Sequence, residues 1–472
     1  MAGLAEPRHY DVAIIGGGPG GYAAALYGAA AGLDVAIIEN RRMGGTCLNR
    51  GCIPAKELLQ TAEVARTVRE SDRFGINAGG DITLDFGTST DRMWSVVDQL
   101  VKGLGSLLKS RKVTVFDGTG TLDADKTVTV TGGDGETTTI AADNVVLASG
   151  SVPRTIPGFD VSDRILTSDE VFQLEQLPER VIVVGGGAIG CEFASTFVDM
   201  GSEVTILEAL PAILPGVDSD VVKLVHRALE KRGITIRTGV KVTGQEAIDD
   251  GGVKVQLEGG DAVEADTVVV SVGRKPLSGS LGLDGTGVEI DERGFVKVDE
   301  YCRTGVDGVF AVGDLIATPG LAHVAYAESI LVIKQIMGEP CVPVDYGRVP
   351  WCVYCHPEVA FVGLTEEAAK AAGHEVVVSK HRWPGNGRAM ILGETEGMVK
   401  VVAAKNDDGT GGQVLGVHMA GPWVTEQLGM GYLSVNWEAT VDEIAQFIQP
   451  HPSLSENFGE TVLSLTGRGL HG

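Results

Sequence analysis

Apolar and polar positions alternate in the same order in two separate parts of this chain. In "HYDVAIIGGGPGGYAAALYGAAAGLDVAIIE" a short apolar run predicts a buried strand, the glycines a turn, the Ala-rich stretch a helix, and "DVAII" a second strand. "RVIVVGGGAIGCEFASTFVDMGSEVTILE" repeats the plan later in the chain. Gly16, Gly18 and Gly21 in the first copy, and Gly185, Gly187 and Gly190 in the second, each spell G-x-G-x-x-G. Glu39 and Glu208 close the second strands, each 23 residues after the first glycine of its copy. Further on, "AKELLQTAEVARTV" has helical spacing, and "GVFAVGD" is an apolar strand ending at Asp314. "GLAHVAYAE" opens a helix, and "WCVYCHPEVAFVGLTEEAAKAAG" runs from strand-like segments into an amphipathic helix.

Each part of the repeated pattern has a physical reason. The first glycine makes the turn, the second lets the backbone approach a pyrophosphate, and the third lets helix pack on strand. The helix N-terminus then faces phosphate charge, and the terminal carboxylate accepts from a ribose hydroxyl. A single such motif is weak, but two at matching offsets imply two dinucleotides. Glu208 would repel a 2′-phosphate, and "EALPA" supplies no Arg to receive one, so NAD is expected rather than NADP at the second copy. Arg41 and Arg42 after Glu39 read as solvated loop residues.

Composition narrows the class. A chain of 472 residues exceeds what one hydrophobic core supports, so roughly two to four domains are expected. A net charge of -25 argues against a nucleic-acid partner, since phosphate binding needs clustered Lys and Arg. The acidity serves solubility or offers a docking surface to a basic partner. The N-terminal "MAGLAEPRHY" has no apolar signal core, and no apolar run reaches the length of a membrane span, so a cytoplasmic protein is expected. The seven cysteines are odd in number and sparse, which makes a disulfide in a reducing compartment more plausible as chemistry than as structure.

That directs attention to "GGTCLNRGCIPAK", with Cys47 and Cys52 five positions apart. Five residues of regular helix rise about 7.5 Å, beyond the roughly 4.4–6.8 Å between Cα atoms that a disulfide spans. Pro54 suits a first helical turn, so the pair is expected in a turn or distorted first turn at a helix N-terminus, where the dipole would lower a thiol pKa. No further metal ligands lie nearby, and a bridge closing so short a loop stabilises little. Redox work is the better reading. Cys352 and Cys355 also spell C-x-x-C, but in a strand-like run they are expected to be inert.

The cysteine segment, the two glycine motifs, "VFAVGD" and "HPSLSE" come in an order that resembles the pyridine nucleotide-disulfide oxidoreductase family over essentially the whole chain. Within that family the match is to the branch acting on dihydrolipoyl groups. The resemblance implies an α/β fold of two Rossmann-like dinucleotide-binding domains plus a C-terminal α+β interface domain. The FAD domain would cover 1–150 and the NAD domain 151–276, with a central segment (277–348) returning to the FAD side and an interface domain at 349–472. It further implies FAD at the first glycine motif and NAD at the second. Cys52 would be the thiolate facing the flavin, and Cys47 the thiol that exchanges with substrate. Lys56 would sit by the flavin N5, paired with Glu192. Asp314 would bind the ribityl chain, with the N–H groups of Ala322 and His323 facing the ring. Thr46, Gly120 and Gly150 would also contact FAD, and Gly273 the nicotinamide nucleotide. Arg50, between the cysteines, stands where relatives often carry an apolar residue.

Near the C-terminus, "IQPHPSLSENFGE" sets His451 between two prolines, with Pro452 able to start a helix and Glu456 able to reach back to the imidazole. A carboxylate that orients a histidine makes a competent general base. By resemblance this histidine would come from the partner subunit, which requires a homodimer, and the tight P-H-P turn suggests a cis His451–Pro452 bond. The implied reaction oxidises dihydrolipoyl to lipoyl with NAD+. The implied partners are a dihydrolipoyl domain and the subunit-binding segment of a 2-oxo acid dehydrogenase acyltransferase, with neither nucleic acid nor membrane. The alternatives are an NADPH-dependent glutathione-, mycothione- or mercuric-reductase-like enzyme, and a non-catalytic flavoprotein docking subunit.

Overall fold

A computed structural model describes residues 8–80, 83–249 and 251–471. The expectation placed on the first seven residues lies outside them. The chain forms two compact units, one of Met1–Glu57, Gly87–Arg154 and Gly273–Tyr346, the other of Leu58–Phe86, Thr155–Val272 and Gly347–Gly472.

In the first unit, strand β1 (Arg8–Ile15) lies between β2 (Val35–Glu39) and the long strand Thr137–Leu147. All three run parallel, with Val12 opposite Val35 and Val145 opposite Ala13. Thr114–Asp117 extends the parallel sheet beyond β2, and Val309–Ala311 pairs with Thr137–Leu147. β-Branched runs buried on both faces are what such a central sheet requires. Val12, Ala13 and Ile14 are fully buried, and burying one Ile side chain is worth about 1.5–3 kcal/mol. Helix α1 (Pro19–Ala30) follows β1 and buries a face of Gly20, Gly21, Ala24, Ala25 and Gly28. Those small residues allow close approach to the helix Ala322–Ile336, whose Ser329 hydroxyl donates to the Gly20 carbonyl at 2.7 Å.

The second unit contains a parallel sheet in the order Thr235–Thr238, Glu203–Glu208, Arg180–Val184, Thr267–Val270, Ile165–Thr167. It also contains an antiparallel sheet in the order Trp351–Val353, Glu358–Gly363, Gly411–Gly421, Met398–Lys405, Val376–Arg382. The two fold types expected from the sequence, a nucleotide-binding parallel sheet and a C-terminal α+β sheet, are both present. Lys400 in the antiparallel sheet is fully buried. Its Nζ lies 2.8 Å from Asp218, 2.7 Å from Asp220 and 3.0 Å from Glu366. No helix among the described residues is long and apolar enough to cross a membrane.

Candidate active site

The two glycine motifs fold alike. Gly16 has φ +114° and Gly185 φ +107°, left-handed values that favour glycine. A Cβ at Gly16 would lie 2.2 Å from the Ala148 carbonyl oxygen, and one at Gly185 would lie 2.6 Å from that of Ser271. Third glycines Gly21 and Gly190 sit so close that a Cβ would come within 1.7 and 1.9 Å of the first glycine's carbonyl oxygen. The middle glycines share one backbone conformation, φ -74° and ψ -173° at Gly18 against φ -72° and ψ -174° at Gly187. In both copies the strand-ending glutamate holds the turn. Glu39 accepts from the Gly17 N–H at 2.8 Å and the Arg41 N–H at 2.9 Å, and Glu208 from Gly186 at 2.6 Å and Leu210 at 2.7 Å. A carboxylate has about four lone-pair sites, so each retains capacity for a ribose hydroxyl. Arg42 pairs with Asp98 at 2.7 Å with both side chains half-exposed, as expected of a loop residue.

The cysteine segment is seated on the first motif. Helix α2 (Gly45–Arg50) begins where Gly45 packs so tightly on Gly18 that a Cβ at Gly45 would fall 2.5 Å from the Gly18 Cα, and the Gly44 N–H donates to Gly17 at 2.8 Å. Cys47 and Thr46 lie in α2. Gly51, at φ -148° and ψ -108°, breaks the helix, and α3 (Cys52–Arg69) starts at Cys52 with Pro54 in its first turn. This break is what lets the two sulfurs meet where a continuous helix would separate them. Both are thiols in the structure and partly buried.

The thiol pKa differs from the expectation of a dipole-lowered thiol. A hydrogen bond with Cys52, burial, and repulsion from Cys52 push Cys47 well up, while the Lys56 ammonium pulls it down only in part. Proximity of two sulfurs outweighs the helix dipole, because charging one thiol removes the proton they share. The phenols of Tyr22 and Tyr326, on α1 and on Ala322–Ile336, hydrogen-bond to each other and feel both cysteines. Sequence reasoning passed over both tyrosines, which looked like ordinary helix-face aromatics.

Asp314 lies in a 3₁₀ turn, Gly313–Leu315, just past its strand. Arg274 Nε donates to the Ser151 hydroxyl at 2.7 Å, and that hydroxyl donates to Asp314 at 2.5 Å. Neither Ser151 nor Arg274 was anticipated. A Cβ on Gly320 would come 3.2 Å from Asp314 Oδ1, so the carboxylate faces the start of the helix that Ala322 begins, with His323 exposed next to it. Gly150 and Gly273 are left-handed, at φ +71° and +104°, while Gly120 is an ordinary strand residue packed on Ile15 and Ile38.

In the second unit, Glu192 is buried on the helix Ala188–Met200 and accepts from the Tyr354 N–H at 2.9 Å. His451 Nδ1 lies 2.7 Å from Glu456 Oε1, and Glu456 Oε2 accepts from the Ser453 N–H at 2.7 Å. The His451–Pro452 bond is cis. The following helix begins at Glu456 rather than at Pro452, because Glu456 ties the Ser453 amide into a turn before helical bonding starts. Cys352 is a strand residue opposite Ala360, whereas Cys355 lies past the strand end. Burial pushes the Cys355 thiol up to about 12, which keeps it protonated and unreactive.

These residues suit two dinucleotides. Beside Gly187 a Cβ would meet nothing within 4 Å, and beside Gly18 only Gly45 at 3.8 Å, so each turn leaves open space where a pyrophosphate would approach.

A sequence profile described as pyridine nucleotide-disulphide oxidoreductase matches residues 10–329, and the dimerisation domain of the same family matches residues 349–462. The chain is 40% identical to a dihydrolipoyl dehydrogenase of Bacillus subtilis, over 98% of this chain and 99% of that one. It is 38% identical to that of Corynebacterium glutamicum, with the same coverage. Among solved structures, LpdA of Mycobacterium tuberculosis superposes with a TM-score of 0.91 at 26% identity, covering 97% of this chain and 99% of that one. The HOCl-induced flavoprotein disulfide reductase RclA of Escherichia coli gives 0.86 at 27% identity, covering 96% and 99%. With the glycine turns, the thiol pair and these matches in register over nearly the full length, the chain belongs to the pyridine nucleotide-disulphide oxidoreductase family.

Proposed function

We propose that this protein oxidises dihydrolipoyl groups to lipoyl with NAD+, using FAD at the first glycine motif and the Cys47–Cys52 pair as its exchangeable disulfide. The observation that carries the reading is the thiol pair itself, two sulfurs in contact across the Gly51 break on a helix seated against Gly18. The names of its relatives support the substrate, and Glu208 supports NAD over NADP.

In the oxidising direction His451, oriented by Glu456, takes the proton from a dihydrolipoyl thiol. The substrate thiolate attacks Cys47 of the disulfide, forming a mixed disulfide and releasing Cys52 as a thiolate. The second substrate thiol then attacks its own disulfide-bound sulfur, so lipoyl leaves and Cys47 is freed. Bound FAD supplies a two-electron carrier between the thiol pair and NAD+. Residues Gly16, Gly18, Gly21, Glu39, Thr46, Gly120, Gly150, Asp314, Ala322 and His323 would hold it. Gly185, Gly187, Gly190, Glu208 and Gly273 would hold NAD. Lys56 contributes positive charge near the pair, as its pull on Cys47 indicates.

The working unit is a homodimer in this reading. Trp437, Phe447 and Ile448 are 77%, 65% and 97% exposed within the segment that matches the dimerisation domain, an apolar surface that a second copy would cover. Activity would then need His451 from the partner. The net charge of -25 favours docking to a basic segment of an acyltransferase core, and the sparse, odd cysteines favour the cytoplasm.

Purified protein is assayed with dihydrolipoamide and NAD+, and in parallel with NADPH and glutathione or mycothione disulfide. Faster turnover with the second set would replace the lipoyl reading with a reductase.

A further inference from the structure

We infer that Glu328 is a positioning residue for the flavin, setting the backbone turn that presents Asp314. The inference rests on reading Asp314 as a ligand of FAD.

Glu328 sits inside the helix Ala322–Ile336 and is fully buried, although acidic residues are almost never so buried without dedicated partners. Its two oxygens take three donors. The Gly313 N–H donates to Oε2 at 2.6 Å, and the Thr318 hydroxyl and Tyr346 phenol donate to Oε1 at 2.8 and 3.0 Å. The first of these bonds is the informative one. Gly313 has φ +70° and immediately precedes Asp314. A left-handed residue there turns the chain out of the strand Val309–Ala311, and the Glu328 oxygen holds the N–H at that bend. Asp314 is then received on its far side by the Ser151 hydroxyl, which Arg274 in turn supports. The carboxylate that faces Gly320 and the helix start is thus fixed from both sides, by Glu328 through the backbone and by Ser151 at the side chain. Tyr346 also hydrogen-bonds the Cys302 thiol, so the support runs from the helix into the loop that Cys302 occupies.

Removing the Glu328 acceptor would leave a buried N–H unpaired at the bend, and the turn would relax. Glu328→Gln keeps the volume but can offer only one oxygen to the three donors, and its amide brings two N–H groups against them. The expected result is FAD binding weakened by about tenfold or more, with flavin lost on desalting. Tyr346→Phe removes one donor only, and a weakening of about threefold is expected, with the melting temperature of the flavin-free protein unchanged.

FAD affinity is measured by quenching of flavin fluorescence on reconstituted full-length protein, beside wild type and Asp314→Asn. Weakening in Glu328→Gln supports the inference. Wild-type affinity in Glu328→Gln, with clear weakening in Asp314→Asn, overturns the positioning role and leaves the flavin site standing. If Asp314→Asn binds FAD as wild type does, the reading of Asp314 fails and this inference with it. Should Glu328→Gln not fold, Tyr346→Phe decides: unchanged FAD affinity overturns the inference, and weakened affinity at unchanged flavin-free stability supports it.

Discussion

Nδ1 of His451 and Oε1 of Glu456 lie 2.7 Å apart, and the other Glu456 oxygen is held by the Ser453 amide, so the imidazole is aimed by a carboxylate that is itself anchored. Replacing His451 by Gln is expected to lower turnover by about 10²–10⁴-fold. Glu456→Gln should cost about tenfold in kcat with little change in the KM for dihydrolipoamide, because the imidazole is no longer aimed. A wild-type kcat in Glu456→Gln would remove the orienting role.

The same contact has a pH signature in stability. Burial raises the Glu456 pKa, but the Ser453 amide and the His451 imidazole more than reverse it, so the folded carboxyl titrates below its ordinary value. A depressed pKa contributes stability that is present above the unfolded value of about 4.3 and is lost as pH falls through the lowered one. Chemical-denaturation midpoints of wild type and Glu456→Gln should therefore converge towards acid pH.

Cys47 carries a thiol held up chiefly by contact with Cys52. In the reduced protein, alkylation of Cys47 by iodoacetamide should need alkaline pH. Cys52→Ala, which removes both the hydrogen bond and the repulsion, should move that alkylation profile to lower pH, and Lys56→Met should move it higher. Mass spectrometry of the labelled peptide reads both directions, and a profile that ignores Cys52 would contradict the pairing.

Gly190 leaves no room for a side chain, since a Cβ would sit 1.9 Å from the Gly185 oxygen, and Glu208 clamps the same turn. Gly190→Ala should raise the KM for NAD+ by about tenfold or more while FAD stays bound. Glu208→Ser should narrow the preference for NAD+ over NADP+, because the charge opposing a 2′-phosphate is gone. Steady-state kinetics with the two nucleotides measures this, and an unchanged ratio would show that Glu208 does not choose the nucleotide.

Lys400 is fully buried among Asp218, Asp220 and Glu366. Lys400→Met leaves Asp218, also fully buried, without its cation, and is expected to cost about 3–5 kcal/mol in urea unfolding. Against the effect of burial, Lys380 and Lys400 draw Asp220 down to about 2. Its contribution is thus present above the unfolded Asp value of about 3.9 and lost as pH falls through about 2. A loss under about 1 kcal/mol would mean that the carboxylates find solvent or one another's protons instead.

Much of this molecule was legible before any coordinates. The glycine spacing is local chemistry: the first glycine must turn left-handed and the third must clear a carbonyl oxygen, and no other residue does either without strain. The sulfur pair that a regular helix cannot close and the His–Glu pair five residues apart are likewise settled within one or two turns of chain, and each strand-ending glutamate within one strand–turn–helix–strand unit, 22 residues from the amide it holds. Local steric and hydrogen-bonding demands are written where they act, so the sequence displays them.

Other features came only from distant parts of the chain meeting. Ser151, Arg274 and Asp314 join across more than a hundred residues. Lys400 finds Asp218 and Asp220 in the same way. Glu328 appears in "AHVAYAESILV" as a single acid in an apolar helix, a signal that it must be paired but not with what. The Cys47 thiol departs from the expected direction because the spacing shows the pair and the helix start, but not that the hydrogen bond with Cys52 and burial outweigh the dipole. The sequence by itself determined the backbone turns and the chemistry placed at them. The tertiary structure decided burial and long-range partners, because desolvation and charge pairing depend on which remote groups the packed chain brings within a few ångströms.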